Sequence, residues 1–297
     1  MRGRSDTRED ESERAFAALT DKISRARAIN CDAYKHKCLK RRIAVRMRAR
    51  SVHTYDDYSR LLDDDAREYQ ELLDALTINV TKFYRNADTW EALRPYLARL
   101  WAAREGRGLR AWSAGCASGE EPYTIAVLLA ELARPGAPRA AGIDATDVDR
   151  VSLERTRAAR YPESAFTEMP ADLRRRYFPG GEAVPALREL VRVVPHDLTR
   201  EPPPHPPYDL IVCRNVVIYF ERQAQERLFQ TFVDALAPDG VLLLGKVETL
   251  FGPARQRLTL ADPRERIYLQ PAAVPPLRPA PRGSGGEDPP RGERGRG

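Results

Sequence analysis

The chain lacks the sequence features that would tie it to a membrane, a disulfide framework or a metal. No run approaches the roughly 18 consecutive apolar residues that a spanning helix needs, so no membrane insertion is expected. The N-terminus, MRGRSDTREDESER, alternates charge and has no apolar centre, which does not fit a secretory leader; a cytoplasmic location is expected. Cysteine is scarce. Cys31, Cys38, Cys116 and Cys213 form no CxxC pair and have no histidine at zinc spacing, so reduced thiols and no metal are expected. Also missing are a GxGxxG turn, a Walker loop, an Asn/Asp-Pro-Pro-Tyr amino-methylating motif and an evident acid–base triad. What remains is an ordinary globular composition, 42% hydrophobic and 31% charged, with a net charge of +6. That surplus is modest and is only a weak pointer to an acidic partner.

Composition divides the chain. Residues 1–12 are polar and charged and are expected to be disordered; residues 271–297 are nearly all Pro, Gly, Arg and acids, and read as a flexible tail. Such an Arg/Gly tail fits RNA or an acidic surface, or has no partner. Residues 13–78 have apolar positions at helical spacing (Phe16, Leu19, Ile23; Leu39, Ile43, Met47) and no proline, which predicts a small helical domain. Its second helix, roughly 34–49, carries Lys35, Lys37, Lys40, Arg41, Arg42, Arg46 and Arg48 around a narrow apolar stripe.

From about 109 the pattern alternates. Strands are predicted over 109–114, 140–147, 190–198, 208–213, 241–246 and 265–270, with helices over 122–133, 151–161 and 221–240, the last carrying a Pro-Asp-Gly turn. Apolar strands alternating with helices imply a mainly parallel α/β sheet whose ligands sit outside the carboxyl ends of the strands.

The first strand runs into Ser113-Ala114-Gly115-Cys116-Ala117-Ser118-Gly119, small residues that let a backbone approach a ligand closely ahead of a helix N-terminus. Glu121 has two readings: the acid of a capping box with Ser118, or the partner of a ligand ammonium. Asp147 ends the second strand about 30 residues after the glycine turn, where an acid accepts from ribose hydroxyls or caps a turn. Cys116 and Cys213 read as buried fillers, Phe83 and Tyr84 as core aromatics, and His196 as structural.

Four segments in order, Asn79-Val80-Thr81-Lys82-Phe83-Tyr84-Arg85, WSAGCASGEEPY (112–123), ATDVD (145–149) and YDLIVCRNVVIYF (208–220), closely resemble the chemotaxis receptor glutamate methyltransferases (CheR). The resemblance covers about 13–270. It implies a Rossmann-like class I S-adenosylmethionine methyltransferase domain over 79–270, behind an all-α receptor-docking domain. By match to the family's motifs, it places Asn79, Thr81, Arg85, Glu121, Asp147, Asp197, Leu198, Asn215 and Val216 at the methyl donor. Arg85 and Tyr219 match residues near the transferred methyl group. The implied acceptor is the glutamate-rich helical cytoplasmic region of a chemoreceptor, with Lys40, Arg41, Arg42 and Arg46 expected to face it. No nucleic-acid partner is expected, and the enzyme is expected to be a monomer.

Two departures stand out. Arg176-Tyr177-Phe178 is followed by a short segment where the family's tether-binding β-subdomain is inserted; the subdomain is shortened to about 179–190, so a receptor's C-terminal pentapeptide tether is not an expected ligand. Gly245-Lys246-Val247-Glu248 stands where the family usually has Gly-His-Ser-Glu. The alternatives are a methyltransferase of this fold acting on another acceptor, nucleic acid included, and a non-catalytic regulator that binds S-adenosylmethionine.

Overall fold

The computed structural model describes residues 3–27, 29–77, 81–104, 108–133 and 142–272. Four helices form the N-terminal domain: α1 Gly3–Arg27, α2 His36–Ala49, α3 Tyr55–Asp64 and α4 Ala66–Thr77. Phe16, Leu19, Ile23, Leu39, Ile43, Tyr58, Leu62 and Leu72 form its core, as the helical spacing requires. The segment 1–12, expected to be disordered, is instead helical from Gly3. The expected tail lies outside the described residues from 273 onward.

The second domain is α5 Ala87–Ala103, β1 Arg110–Ala114, α6 Glu120–Leu132, β2 Gly142–Asp147, α7 Arg150–Ala158, α8 Ala171–Tyr177, α9 Pro185–Arg188, β3 Val191–Pro195, β4 Tyr208–Cys213, α10 Arg222–Ala235, β5 Leu236–Leu244, α11 Gly252–Arg257, β6 Thr259–Asp262 and β7 Ile267–Leu269. The sheet order is β3-β2-β1-β4-β5-β7-β6. The first five strands in that order pair in parallel, and β7 runs antiparallel to both β5 and β6. Strand order reverses between β1 and β4. In such sheets the crevice at that reversal is the ligand site.

Three expectations change. The helix expected over 221–240, closed by a Pro-Asp-Gly turn, ends at Ala235, and the strand expected from 241 begins earlier: β5 starts at Leu236 and takes in Pro238, which has no N–H to donate, and Asp239 at φ +64°. The edge strand β6 was not foreseen, being four residues long and paired only with β7. Residues 163–190 hold short helical turns and no strand. Arg160 and Glu182 make only an isolated bridge, so the shortened β-subdomain expected at about 179–190 has no strand of its own.

Candidate functional site: a two-lobed crevice at the strand-order reversal

The loops after β1 and β4 face each other across the crevice, and each depends on small or strained residues. Gly115 has φ +83°, and a Cβ there would come within 2.6 Å of Val216 Cγ2, so only glycine lets the two loops close. Non-glycine residues with positive φ include Tyr84, Asn86, Ala117 and Asn215, half of the eight among the described residues. Each conformation costs on the order of 1 kcal/mol. Their clustering marks a backbone held in place by its surroundings.

Glu248 does much of that holding. Its side chain is 3% exposed and accepts four backbone N–H bonds, from Gly245 (2.7 Å) and Asn215 (3.0 Å) on Oε2, and from Val216 (3.0 Å) and Ile218 (3.3 Å) on Oε1. Burial pushes this carboxyl up, and the four donors oppose that. Gly245 is required here as well, since a Cβ would lie 2.6 Å from Glu248 Oε2. The motif departure at 245–248 therefore keeps the acid that fixes the Asn215 loop.

The crevice has two lobes that share Gly115, Ala117, Asn215 and Val216. The smaller lobe adds Thr81, Lys82, Arg85, Trp90, Glu121 and Arg214. Glu121 accepts from Ser113 Oγ at 2.8 Å. The capping box does not form: Gly119 is the N-cap without a side-chain bond, and Ser118 Oγ donates to Glu120 instead. Burial pushes the Glu121 carboxyl up to about 7, against the pull of Arg214 and the Ser113 bond. An acid in that state gains most from a ligand cation. Arg214, 6% exposed, donates through Nη2 to the Arg85 carbonyl (2.9 Å) and to Asn86 Oδ1 (2.9 Å) and lies over the Trp90 ring. Its Nε is buried without a hydrogen-bond partner.

The larger lobe holds Asp147, His196, Asp197, Leu198 and Tyr219, and from the N-terminal domain Tyr34, Leu76 and Thr77. Asp147 Oδ2 accepts from Ala117 N at 2.9 Å and Oδ1 from Asp149 N at 3.0 Å, while Asp149, not Asp147, caps α7. Burial pushes Asp147 up to about 6, against these N–H bonds. Asp197 Oδ1 is taken by Thr199 N (2.8 Å) and Thr199 Oγ1 (2.7 Å). Its Oδ2 is buried with no hydrogen-bond partner; Arg200 Nε stands 3.9 Å away. A buried acceptor lining a pocket with no donor on it is a place for a ligand N–H. His196 Nε2 lies 3.0 Å from the Pro202 carbonyl and its ring packs edge-on to Trp112.

Arg85 and Tyr219 line different lobes, on opposite sides of the shared wall. Arg85 is placed from behind: Phe83 stacks on Phe166 with centroids 4.8 Å apart, and the Arg85 carbonyl accepts from Trp90 Nε1 (3.2 Å) and Arg214. Phe83 and Tyr84 are fully buried. Cys116 and Cys213 are buried, and burial pushes both thiols well up, which leaves no thiolate nucleophile. Asn79 lies outside the described residues. Sequence reading missed Arg214 and Tyr34 and did not assign Glu248 a role. The available signals were an arginine directly after the apolar run Leu210–Cys213 and an acid in a loop at the sheet's carboxyl edge.

The expected docking cations separate into two groups. Arg46 turns inward, with Nη2 2.6 Å and Nε 3.1 Å from Glu68, which is fully buried and also accepts from Tyr58 Oη at 2.6 Å. Arg42 donates to the carbonyls of Ala75 (3.2 Å) and Leu76 and covers the Tyr219 ring at 4.8 Å. Both guanidiniums are therefore engaged within the chain, Arg46 by a buried acid and Arg42 by carbonyl groups. Lys40 pairs with Glu13 and lies over the Phe16 ring. Arg41 stays exposed.

Comparison with known proteins agrees with this geometry. Residues 79–265 match "CheR methyltransferase, SAM binding domain" and residues 14–77 match "CheR methyltransferase, all-alpha domain". The chain is 32% identical to a chemotaxis protein methyltransferase of Listeria innocua over 82% of its own length and 92% of that protein's. It is 31% identical to the Escherichia coli chemotaxis protein methyltransferase, covering 84% of this chain and 88% of that one. It also matches, at 33% identity, 28% of a 104.1 kDa protein of Rhodobacter capsulatus. A glycine-walled crevice at the strand-order reversal, acids lining both lobes and a helical domain closing one of them all fit the same assignment: the chain belongs to the CheR family of S-adenosylmethionine-dependent methyltransferases.

Proposed function

We propose that this protein methylates glutamate side chains in the helical cytoplasmic region of a chemoreceptor, yielding glutamate methyl esters and S-adenosylhomocysteine. The observation that carries the reading is a site with a cation, Arg85, and a hydroxyl, Tyr219, on either side of a shared wall. Among the pocket residues the one imidazole, His196, holds the Pro202 carbonyl through Nε2 while its Nδ1 is buried without a partner, and burial pushes the thiols of Cys116 and Cys213, the cysteines nearest the crevice, well up. A glutamate acceptor suits such a site, since it is already ionised at neutral pH and needs no base.

The residues present fit the methyl donor. Glu121, held near neutrality by burial, would take its ammonium; Asp147 would take ribose hydroxyls; the unpartnered Asp197 Oδ2 would accept from the adenine amino group. Bound there, S-adenosylmethionine supplies an electrophilic methyl on a sulfonium. The protein's own work is positioning and water exclusion. Arg85 orients the acceptor carboxylate, Tyr219 fixes it through its hydroxyl, and the closed loops keep the site dry, which favours a reaction in which opposite charges cancel.

For docking, the exposed Lys37, Arg41, Val45 and Arg48 follow one another at spacings of four, four and three along α2, so they share one face. A basic face with one apolar residue suits a glutamate-rich helix and steers its approach. The test is transfer of labelled methyl from S-adenosylmethionine to a soluble chemoreceptor cytoplasmic fragment, with RNA as the competing acceptor. Base-labile label in the receptor fragment is expected. Label only in RNA, or base-stable label, would overturn the assignment.

A further inference from the structure

Tyr219 is gripped by the N-terminal domain. The main chain on either side of it is stitched to the segment ahead of α2: Lys35 N donates to the Tyr219 carbonyl (2.9 Å), Lys35 Nζ to the Ile218 carbonyl (2.8 Å), and Glu221 N to the Ala33 carbonyl (2.7 Å). Tyr34 and Phe220 form a bridge, with their rings edge to face at 4.9 Å. The side chain is covered separately. The Arg42 guanidinium sits 4.8 Å from the Tyr219 ring centroid and reaches in the other direction to the carbonyls of Ala75 and Leu76 at the end of α4. Leu76, Thr77 and Tyr219 line the same lobe.

An arginine keeps its charge even when burial lowers its pKa, as it does here, so a half-buried guanidinium must find acceptors or a ring face. Arg42 finds both, and both belong to the wall of the lobe. A cation meant for a partner would be turned outward, as Arg41 is.

We propose that Arg42 is a positioning residue for methyl transfer. It clamps the Tyr219 ring to the C-terminal end of α4, so that the N-terminal domain builds one wall of the transfer site in addition to docking the acceptor. This rests on the reading of Tyr219 as the hydroxyl that fixes the acceptor. The geometry also separates two roles along one helix: Arg41 and its exposed neighbours meet the partner, while Arg42 meets the tyrosine.

The experiment is a double-mutant cycle of Arg42→Met and Tyr219→Phe in the full chain. Turnover is measured with labelled S-adenosylmethionine and a soluble chemoreceptor cytoplasmic fragment, alongside S-adenosylhomocysteine binding and thermal midpoint. Tyr219→Phe keeps the ring and removes only the hydroxyl. Arg42→Met alone should lower kcat about tenfold, leaving the acceptor KM and S-adenosylhomocysteine affinity unchanged, because a displaced hydroxyl weakens orientation. In the Tyr219→Phe background the same change should add nothing. Arg42→Lys, which can keep a cation over the ring, should recover most of the turnover; if Arg42→Met does not fold, the cycle is run with Arg42→Gln. A rise in KM with normal kcat would make Arg42 a docking cation and overturn the proposal. So would additive losses in the cycle. If Tyr219→Phe itself turns over normally, the underlying role of Tyr219 has failed; if Tyr219→Phe is impaired and Arg42→Met is normal, only the clamp has failed.

Discussion

Replacing Glu248 by glutamine tests whether one buried carboxylate holds the β4 loop. Four N–H groups converge on its two oxygens, two on each. Glutamine supplies one oxygen, so in either amide orientation two backbone donors face an NH₂. The cheaper orientation keeps the shorter pair, Gly245 and Asn215, and abandons Val216 and Ile218. Two charge-assisted bonds are then lost, worth roughly 1.5–3 kcal/mol each. Relief of the desolvated charge, visible in the raised pKa, returns part of that. The net expectation is about 3 kcal/mol of destabilisation, or a fall of roughly 6–9 °C in thermal midpoint. Released, the Val216–Ile218 turn no longer places Tyr219, so turnover should drop by at least about tenfold. Denaturant unfolding, monitored with and without S-adenosylhomocysteine, together with the transfer assay, reads both. A midpoint within a degree of wild type with normal turnover would refute the account of this loop.

Glu121→Gln should weaken S-adenosylhomocysteine binding strongly at about pH 8 and flatten its pH dependence. In the wild type, affinity should fall as pH drops below about 7, where Glu121 takes up a proton, with a further decline below about 6 from Asp147. Because the folded pKa of Glu121 is raised, its contribution to stability is present in acid and lost as pH rises through about 7, so Glu121→Gln should stabilise the ligand-free protein above that pH. Calorimetry across pH, in buffers of different ionisation heat, measures both; pH-independent wild-type binding would contradict this. Arg46→Ala should destabilise by about 2–3 kcal/mol, because it removes two charge-assisted bonds from the buried Glu68 and leaves that carboxylate to Tyr58 and the more exposed Arg50, 3.2 Å away. Arg41→Glu should leave stability within about 0.5 kcal/mol of wild type yet lower receptor methylation. Equal thermal midpoints for those two variants would dissolve the distinction between inward and outward cations. Arg85→Ala should abolish most turnover while the fold survives, because what Trp90 and Arg214 hold is the residue 85 carbonyl, which alanine retains; near-normal transfer would remove Arg85 from the mechanism.

How far the sequence reached depended on whether the responsible signal was local. Strands β1, β2, β4 and the apolar part of β5 are visible as runs because they are buried on both faces, and α6 and α7 follow from periodicity. The Pro-Asp-Gly turn after α10 was legible, but the early start of β5 at Leu236 was not, because the pairing of Leu236 with Tyr208 of β4 is not a local signal. Glu121 and Asp147 could be singled out because each stands at a strand end or turn. What those acids do to each other's surroundings could not be, since burial depends on residues 30 to 120 positions away.

The basic helix shows the same boundary most sharply. Seven cations between 35 and 48 look alike on a helical wheel, and nothing in their spacing says that Glu68 or the Ala75 and Leu76 carbonyls will claim Arg46 and Arg42. Those partners come from α4, which packs alongside α2 only after the domain has closed. The consequence bears on function. Burial converts two arginines from surface charge into structure, and leaves the outward face with Lys37, Arg41 and Arg48 as its cations beside Val45. That face is weakly committed, so its ion pairs to a partner would be exposed, screened by salt and worth little singly. Acceptor recognition through it should therefore be salt-sensitive, whereas the Arg42–Tyr219 contact, covered by the same helix, should not be. Raising ionic strength is then expected to raise the acceptor KM while kcat stays level, and a parallel loss of both would mean that docking and positioning are not separated along α2 as the burial pattern implies.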